Sequence, residues 1–235
     1  ITESFGNAAK NFAANKQLLA LLSSPEPTLT DIRSVDAAVL KIPRQKISKN
    51  AITNDIDLIR RSVVTIDGGA GGFGSGFFIS PRLIMTNHHV VRGNTLKRIT
   101  LVTGRKILGE VIRKHPERDI AIIQVEEGGH RPLPIRFEPV KITEDVFAIG
   151  TPQDRKLKGT VSKGIVSSYR SNKFGLEDIQ ADVDIHGGNS GGALLDKHGN
   201  VVGVAYAGIN GGKKLSSGLN FFVPINDAIQ KLNID

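Results

Sequence analysis

The sequence contains no cysteine, which excludes disulfide bonds, thiol catalysis and cysteine-ligated zinc. At 235 residues the chain can bury a hydrophobic core without such crosslinks. This length suits one large all-β domain, or a domain of about 180 residues with an additional arm. The lack of cysteine is consistent with a protein from a reducing compartment and equally with a protein that never needed disulfides.

Long apolar runs are also missing. No stretch approaches the roughly 20 residues that span a bilayer, and no charged start followed by an apolar segment marks a signal peptide. The chain begins with Ile1 rather than Met, which indicates a processed chain or a piece of a longer one. The missing signal therefore does not indicate a compartment, and cytoplasm and periplasm both stay open.

Acidic residues are outnumbered: 31 Lys and Arg face 23 Asp and Glu, for a net charge of +8. Such an excess can attract nucleic acid or anionic membranes. The basic residues come in small groups, such as Arg60-Arg61, and no aromatic-rich stretch accompanies them to stack on bases. We therefore expect an ordinary basic surface, with nucleic-acid binding unlikely as a function.

The first 60 residues differ from the rest of the chain. Phe5, Phe12 and Leu19 recur every seven residues, which predicts an amphipathic helix that ends near Pro25. A second helix is expected over residues 31–40. Both helices would form an arm.

Residues 47–54 read as a polar connector between this arm and the remainder. The predicted division is therefore an arm with connector over residues 1–60 and a domain over residues 61–235. The arm either packs on the outside of the domain or serves as a regulatory or partner-binding element, and the sequence leaves both alternatives open.

Short β-rich segments separated by turn residues begin at Ser62 and recur at intervals of about ten residues. This spacing predicts an all-β fold, either a sandwich or a pair of barrels, followed by a closing helix over residues 226–232. The predicted strands cover residues 62–67, 76–79, 83–86, 99–102, 107–112, 120–125, 146–149, 160–168, 179–183, 193–195, 201–207 and 219–223.

Three segments carry side chains suited to nucleophilic catalysis. Ser190 lies in the glycine-rich turn Gly187–Gly192, where glycines permit unusual backbone conformations and a close approach of substrate. The pair His88-His89 follows one predicted strand, and Asp119 opens another. Taken singly, each segment has a plain structural reading: a surface turn, solvated or metal-binding histidines, and a turn carboxylate.

The order of the three segments is more informative than any one of them. His89 precedes Asp119 by 30 residues, and Asp119 precedes Ser190 by 71. The order His, Asp, Ser is that of chymotrypsin-type enzymes and differs from that of subtilisins and α/β-hydrolases. The remaining histidines are too scattered to predict a zinc site; they are His115, His130, His186 and His198.

Five motifs in this order resemble the trypsin-fold serine proteases, and are most similar to the bacterial HtrA/Deg type. They are Gly74-Ser75-Gly76-Phe77-Phe78-Ile79, Thr86-Asn87-His88-His89-Val90-Val91, Asp119-Ile120-Ala121-Ile122-Ile123, Ala148-Ile149-Gly150-Thr151-Pro152 and Gly188-Asn189-Ser190-Gly191-Gly192. The resemblance covers residues 62 to about 232. It implies an all-β, chymotrypsin-like fold of two six-stranded antiparallel barrels, with the N-terminal helical arm and the C-terminal helix outside them.

The resemblance also implies roles for individual residues. His89, Asp119 and Ser190 would be the catalytic triad, with His89 preferred over His88 as the base because it directly precedes Val90-Val91. The backbone N–H groups of Gly188 and Ser190 would form the oxyanion hole. No metal or other cofactor is implied, and the substrate would be a protein or peptide.

The specificity pocket allows two interpretations. Asp184 lies six residues before Ser190, where trypsin-like enzymes carry the carboxylate that selects Lys or Arg, and small residues at Ala205 and Ala207 would leave room for a long side chain. HtrA-like enzymes instead prefer aliphatic guests, in which case Ile185 would line the pocket and Asp184 would point outward. Both interpretations stay open.

Several functions remain open as well. The first is an active serine endopeptidase working through an acyl-enzyme, and the second is the same enzyme held latent until a protein partner activates it. A catalytically silent binding module of the same fold is the alternative from another class. Because the chain ends 45 residues after Ser190, no PDZ domain is expected in it.

Overall fold

The strands close into two barrels in the computed structural model, which describes residues 39–69, 72–152, 154–206 and 219–235. The first barrel consists of β1 Val63–Gly69, β2 Gly72–Ser80, β3 Leu83–Thr86, β4 Leu96–Leu101, β5 Lys106–His115 and β6 Ile120–Val125. The second consists of β7 Asp145–Gly150, β8 Thr160–Ser171, β9 Glu177–Ala181, β10 Ala193–Asp196, β11 Val201–Tyr206 and β12 Asn220–Pro224.

Both barrels have the same strand order. Neighbouring strands run β1-β2-β3-β6-β5-β4 in the first barrel and β7-β8-β9-β12-β11-β10 in the second, and each sheet closes on itself. All of these neighbouring strands pair in antiparallel fashion. The predicted all-β fold of two six-stranded antiparallel barrels is confirmed.

Alternation along the strands explains where the apolar side chains go, because successive residues of a strand face opposite sides of the sheet. One set fills the interior of the first barrel and includes Val64, Ile66, Phe78, Ile84 and Ile123. The second barrel has its own interior, which includes Val146, Ala148, Leu194, Val202 and Phe222. The remaining set joins the two barrels in a shared core that includes Val63, Phe77, Met85, Ile122, Ile149, Ala193 and Val204.

Two helices pack on this shared core. Helix α1, Ile52–Arg61, buries Ile52 and Ile59, and helix α2, Ile225–Lys231, buries Ile225, Ala228 and Ile229. Helix α2 matches the predicted closing helix within one residue at each end. Helix α1 begins inside the stretch expected to be a polar connector, because isoleucines three and four residues apart give residues 52–59 an apolar stripe.

The segment before α1 is attached to the barrels through backbone hydrogen bonds. Leu40 pairs with Ile234 in an isolated parallel bridge, and the N–H of Ile42 donates to the carbonyl of Asp235 at 2.7 Å. The predicted helix near Phe5–Leu19 lies outside the described residues, as does the helix expected over residues 31–40 except for its last two residues. The division of the chain at residue 60 stays a prediction.

Within the described ranges, no helix combines the length and the apolar character that a membrane crossing requires.

Candidate active site

Strand pairing in the first barrel brings the histidine turn to the candidate acid. β3 and β6 are neighbours, and Thr86 at the end of β3 pairs with Ala121 at the start of β6. Asp119 directly precedes β6, and the 3-10 turn His89–Val91 follows β3 after two residues. Val90 and Val91 are buried in the barrel interior, so they anchor the turn that starts with His89.

Both carboxylate oxygens of Asp119 contact His89. Oδ2 lies 2.6 Å from the ring atom Nδ1, and Oδ1 accepts a hydrogen bond of 2.8 Å from the backbone N–H of His89. The two side chains are largely shielded, with exposed fractions of 20% and 27%. An ionised Asp119 makes Nδ1 the protonated nitrogen, which leaves Nε2 as the acceptor on the opposite edge of the ring.

The backbone of Asp119 is itself held in an uncommon conformation. Its φ is 60°, in the left-handed region that few residues other than glycine adopt. The side-chain amide of Asn87 donates to the Asp119 carbonyl at 2.8 Å, which ties the acid to the segment that leads into His89.

His88 lies in a different environment from its neighbour. Within the described part of the chain its ring has no hydrogen-bond partner, and burial lowers the pKa of its imidazole, with the charge of Asp119 as an opposing influence. Of the two adjacent histidines, His89 is therefore the one that the carboxylate orients.

Ser190 is presented by a tight turn in the second barrel. The N–H of Asn189 donates to the carbonyl of His186 at 3.0 Å, and Gly188 occupies the third position of this turn with φ +96°. A Cβ at Gly188 would lie 2.3 Å from the carbonyl oxygen of Thr151. Both the backbone angle and the space therefore require glycine at this position.

A residue of the first barrel forms hydrogen bonds to this turn of the second barrel. Ser75 of β2 donates its backbone N–H to the carbonyl of Ser190 at 2.7 Å and its hydroxyl to the carbonyl of Gly188 at 2.7 Å. The same hydroxyl accepts a hydrogen bond of 2.9 Å from the N–H of Thr151. One buried serine thus fixes the backbone on both sides of Asn189.

A short chain of contacts connects the serine turn to the histidine strand. Thr86, three residues before His89, donates its hydroxyl to the carbonyl of Ser75 at 2.7 Å. A Cβ at Gly191 would lie 2.2 Å from that carbonyl and 2.3 Å from the Thr86 hydroxyl. The residue after Ser190 therefore packs directly against the end of β3.

The two predicted oxyanion-hole residues lie on this turn. Among the described residues, the backbone N–H of Gly188 is paired with no acceptor. Ser190 is nearly buried, with an exposed fraction of 6%. The turn carries both N–H groups two residues apart, which suits two donors aimed at one oxygen.

The residues proposed for the specificity pocket have different environments. Asp184 is exposed, and its carbonyl accepts a hydrogen bond of 2.6 Å from the hydroxyl of Ser162. Ile185 is half-buried against the interior of the second barrel, and Ala205 is buried. Ala207 lies outside the described residues.

Sequence reasoning did not assign roles to Ser75, Thr151 or Asn87. All three lie in motifs that carry the family resemblance, so a signal for them was present. Each acts on a residue remote in the chain, however, and their partners are visible only after folding. Within the described residues, no three His, Asp or Glu side chains form a group that could hold a metal ion.

Comparison with known proteins gives a consistent result. A family model for the trypsin-like peptidase domain matches residues 74–204, more than half of the chain. Protease Do-like 5 of Arabidopsis thaliana chloroplasts is 31% identical over 187 residues, covering 70% of this chain and 57% of its own length. The serine protease Do-like HtrA of Lactococcus lactis subsp. cremoris is 27% identical over 164 residues, covering 64% of this chain and 40% of its own length.

Two solved structures of proteases are also similar to this chain. The HtrA-type protease AlgW, solved with a tripeptide, superposes with a TM-score of 0.67 at 26% identity, covering 77% of this chain and 62% of that one. A serine endoprotease from Yersinia pestis gives 0.66 at 25% identity, with 77% and 65% covered. The chain thus spans about 40% to 65% of the length of these four proteins.

Proposed function

The chain belongs to the trypsin-like peptidase domain family, and we propose that it is a serine endopeptidase with His89, Asp119 and Ser190 as its catalytic triad. The observation that carries this proposal is the double contact of the Asp119 carboxylate with the backbone N–H and the ring Nδ1 of His89. A carboxylate held in this way fixes both the tautomer and the orientation of an imidazole.

In this mechanism the Ser190 hydroxyl attacks the carbonyl carbon of the scissile peptide bond, and His89 removes its proton through Nε2. The resulting imidazolium is stabilised by Asp119 and passes its proton to the leaving amine, which departs as the C–N bond breaks. Water then attacks the acyl-enzyme with the same base, and the Ser190 hydroxyl is regenerated.

The developing negative charge on the carbonyl oxygen would be met by the N–H groups of Gly188 and Ser190. Support for this role comes from the glycine-specific φ at position 188 and from the two hydrogen bonds by which Ser75 holds the turn. Donors held rigidly in this way need no reorganisation as charge develops.

The test of this proposal is covalent labelling with a fluorophosphonate, which reacts only with an activated serine. We expect labelling that maps to Ser190 by mass spectrometry, together with hydrolysis of a peptide library. Ser190→Ala is the matched control and should lose both. Absence of labelling in folded wild-type protein would contradict the proposal of an enzyme active on its own.

The same assay distinguishes the latent enzyme from the silent binding module. A latent enzyme becomes labelled at Ser190 when an activating protein or peptide is added, whereas a binding module retains peptides but never reacts.

For the residue before the cleaved bond, we propose a preference for aliphatic side chains. Asp184 is exposed, so it lacks the desolvated setting in which a carboxylate strongly selects a cation. Ile185 and Ala205 both pack in the interior of the second barrel and would offer an apolar wall.

Matched peptides with Val, Leu, Lys or Arg at this position test the preference. We expect Val and Leu to be cleaved fastest, by wild type and by Asp184→Ala alike. Preference for Lys or Arg in the wild type that disappears in Asp184→Ala would instead establish a trypsin-like pocket and leave the triad assignment intact.

A further inference from the structure

Arg118, the residue directly before Asp119, is one of the largest fully buried side chains among the described residues. Its side chain is 1% exposed although it carries a permanent positive charge. Charged side chains are almost never buried to this extent unless they are paired. Its environment therefore matters for the position of the adjacent acid.

The partners of the Arg118 guanidinium all belong to the second barrel and helix α2. Nη1 lies 2.6 Å from Oδ1 of Asp178, and Nη2 donates to the carbonyl of Glu177 at 2.5 Å, both on β9. Nε faces a carboxylate oxygen of Asp227 in the first turn of α2. Arg118 thus extends from the hairpin between β5 and β6 into the second barrel.

Tyr206 completes the network at the end of β11. Its hydroxyl donates to the second oxygen of Asp178 at 2.5 Å. Burial and this hydrogen bond to Asp178 raise the pKa of Tyr206, so the phenol keeps its proton and remains a donor. Both oxygens of Asp178 are therefore occupied, one by the arginine and one by the tyrosine.

A network of this kind is weak evidence for a role in stability. Removing charges from water is costly, and well-packed apolar residues often stabilise a fold as well as a buried ion pair does. Its geometric effect is more specific. The arginine side chain bonds β9 of the second barrel at two points and forms an ion pair with Asp227 of helix α2, while the next residue in the chain adopts φ 60° and contacts His89.

We propose that Arg118 is a positioning residue for Asp119, which it holds in the orientation that directs the carboxylate at His89. This inference rests on the proposed function, because it assigns Asp119 to the triad. The side chain of Arg118 does not contact substrate in this role. Through this side chain, the positions of β9, β11 and α2 determine the position of Asp119 in the first barrel.

The test compares Arg118→Lys with Arg136→Lys in the full chain. Lysine keeps the charge but lacks the planar fork that contacts Asp178, Glu177 and Asp227 together. Arg136 is the matched control, since it also pairs with two carboxylates, Glu144 and Asp196, and lies in the second half of the chain. Both changes should lower the melting temperature.

Two readouts separate positioning from a general loss of stability. We expect Arg118→Lys to lower kcat by about 10- to 100-fold with little change in KM, because small displacements of a reacting group have effects of this size. Arg136→Lys should leave kcat unchanged. Equal effects of the two variants on kcat would overturn the proposal.

The second readout does not depend on activity. In Ser190→Ala protein labelled with ¹⁵N-histidine, the Nδ1 proton of His89 gives a strongly downfield NMR signal while it is bonded to Asp119. We expect Arg118→Lys to shift or abolish this signal, and Arg136→Lys to leave it in place. An unmoved signal in folded Arg118→Lys would contradict the positioning role.

If Arg118→Lys does not fold, the same NMR measurement on Asp178→Asn tests the proposal. It removes one charge of the network while preserving its shape, and we expect a smaller shift of the His89 signal in the same direction. No shift in this variant would count against the proposal. If wild-type protein lacks peptidase activity, the proposed function fails while this NMR comparison still decides the role of Arg118.

Discussion

The two barrels share one strand order but contribute to the site in different ways. The first barrel brings His89 and Asp119 together through neighbouring strands of a single sheet, β3 and β6. The second barrel carries Ser190 on a glycine turn outside its strands, and Ser75 of the first barrel forms hydrogen bonds to that turn. The contact between His89 and Asp119 thus follows from pairing within one barrel, whereas the position of Ser190 depends on contact between barrels.

Support between the barrels runs in both directions. Ser75 of the first barrel holds the serine turn of the second, and Asp178 of the second barrel binds Arg118 beside the acid of the first. Neither barrel therefore contains the complete candidate site. Changes at the contacts between them should therefore affect activity more than comparable changes elsewhere.

The largest expected effect comes from removing the reacting groups of either barrel. If the proposed triad is correct, His89→Ala in the first barrel and Ser190→Ala in the second should each lower kcat by about 10⁴- to 10⁶-fold, the usual effect of removing a triad residue. The double variant should be no slower than Ser190→Ala, because residues that act as one unit have non-additive effects. Single-turnover assays with a cleaved library peptide measure this.

The matched control for this prediction is His88→Ala, which should keep most of the activity since its ring does not contact Asp119. Loss of turnover in His88→Ala together with retained turnover in His89→Ala would reverse the assignment of the base.

The next largest effect is expected at the turn of residues 187–190, the proposed oxyanion turn. In Gly188→Ala the new methyl group would lie 2.3 Å from the Thr151 carbonyl oxygen and 2.7 Å from the ring of Phe73, at a φ of +96°. We expect kcat to fall by about 10²- to 10³-fold, the usual effect of losing one oxyanion donor. Kinetics on the same peptide provide the measurement.

Gly175→Ala serves as its control in the same barrel. That glycine also has a positive φ, +73°, but a Cβ there would meet nothing within 4 Å. Its kcat should be unchanged and only its stability slightly reduced. Equal losses of activity in both variants would mean that backbone strain in general, rather than the oxyanion turn, limits catalysis.

A smaller effect is expected for Ser75→Ala, which removes the hydroxyl that bonds Gly188 and Thr151. Each lost hydrogen bond costs about 1 kcal/mol, so we expect roughly a tenfold lower kcat. Ser80→Ala on the same strand removes bonds to Arg82 and Leu83 only, and should lower the melting temperature without changing kcat. Full activity of the Ser75→Ala variant would show that the turn keeps its conformation without this hydroxyl.

The smallest expected effect is an acid sensitivity that originates at a histidine stacked against the first barrel. The ring of His130 stacks on Phe78 with centroids 4.2 Å apart, and burial, followed by the charge of Arg105, lowers its pKa. The unfolded chain then binds a proton at a higher pH than the folded chain does, so stability falls as the pH drops below about 6.5.

His130→Phe removes this titration while retaining a ring on Phe78. The decrease in melting temperature between about pH 7.5 and about pH 5.5 should be smaller in this variant than in wild type. His88, whose pKa is also lowered by burial, is common to both proteins. An equal decrease in the two proteins would place the acid sensitivity elsewhere.

Most of the fold could be predicted from the sequence because strands carry a local signal. The strand from Leu83 to Thr86 and the strand from Ile120 to Val125 have the predicted bounds, and the other described strands overlap their predictions. Helix α1 was missed because isoleucine spacing over ten residues is a weak signal beside polar neighbours. The three triad candidates stood out through residue type, chain order and glycine content.

The sequence by itself determined the all-β strand pattern and the order His89, Asp119, Ser190, since alternation and turn residues act between near neighbours in the chain. The choice of two barrels over a sandwich came from the family resemblance. Only the tertiary structure showed that Ser75 forms hydrogen bonds to the turn of Ser190, and that Arg118 is buried against Asp178. In the sequence, Ser75 stands in a family motif without an assigned role, and Arg118 resembles an ordinary surface residue. Their partners lie about 60 to 115 residues away, and contacts over such distances arise from the packing of the barrels, which no local pattern encodes.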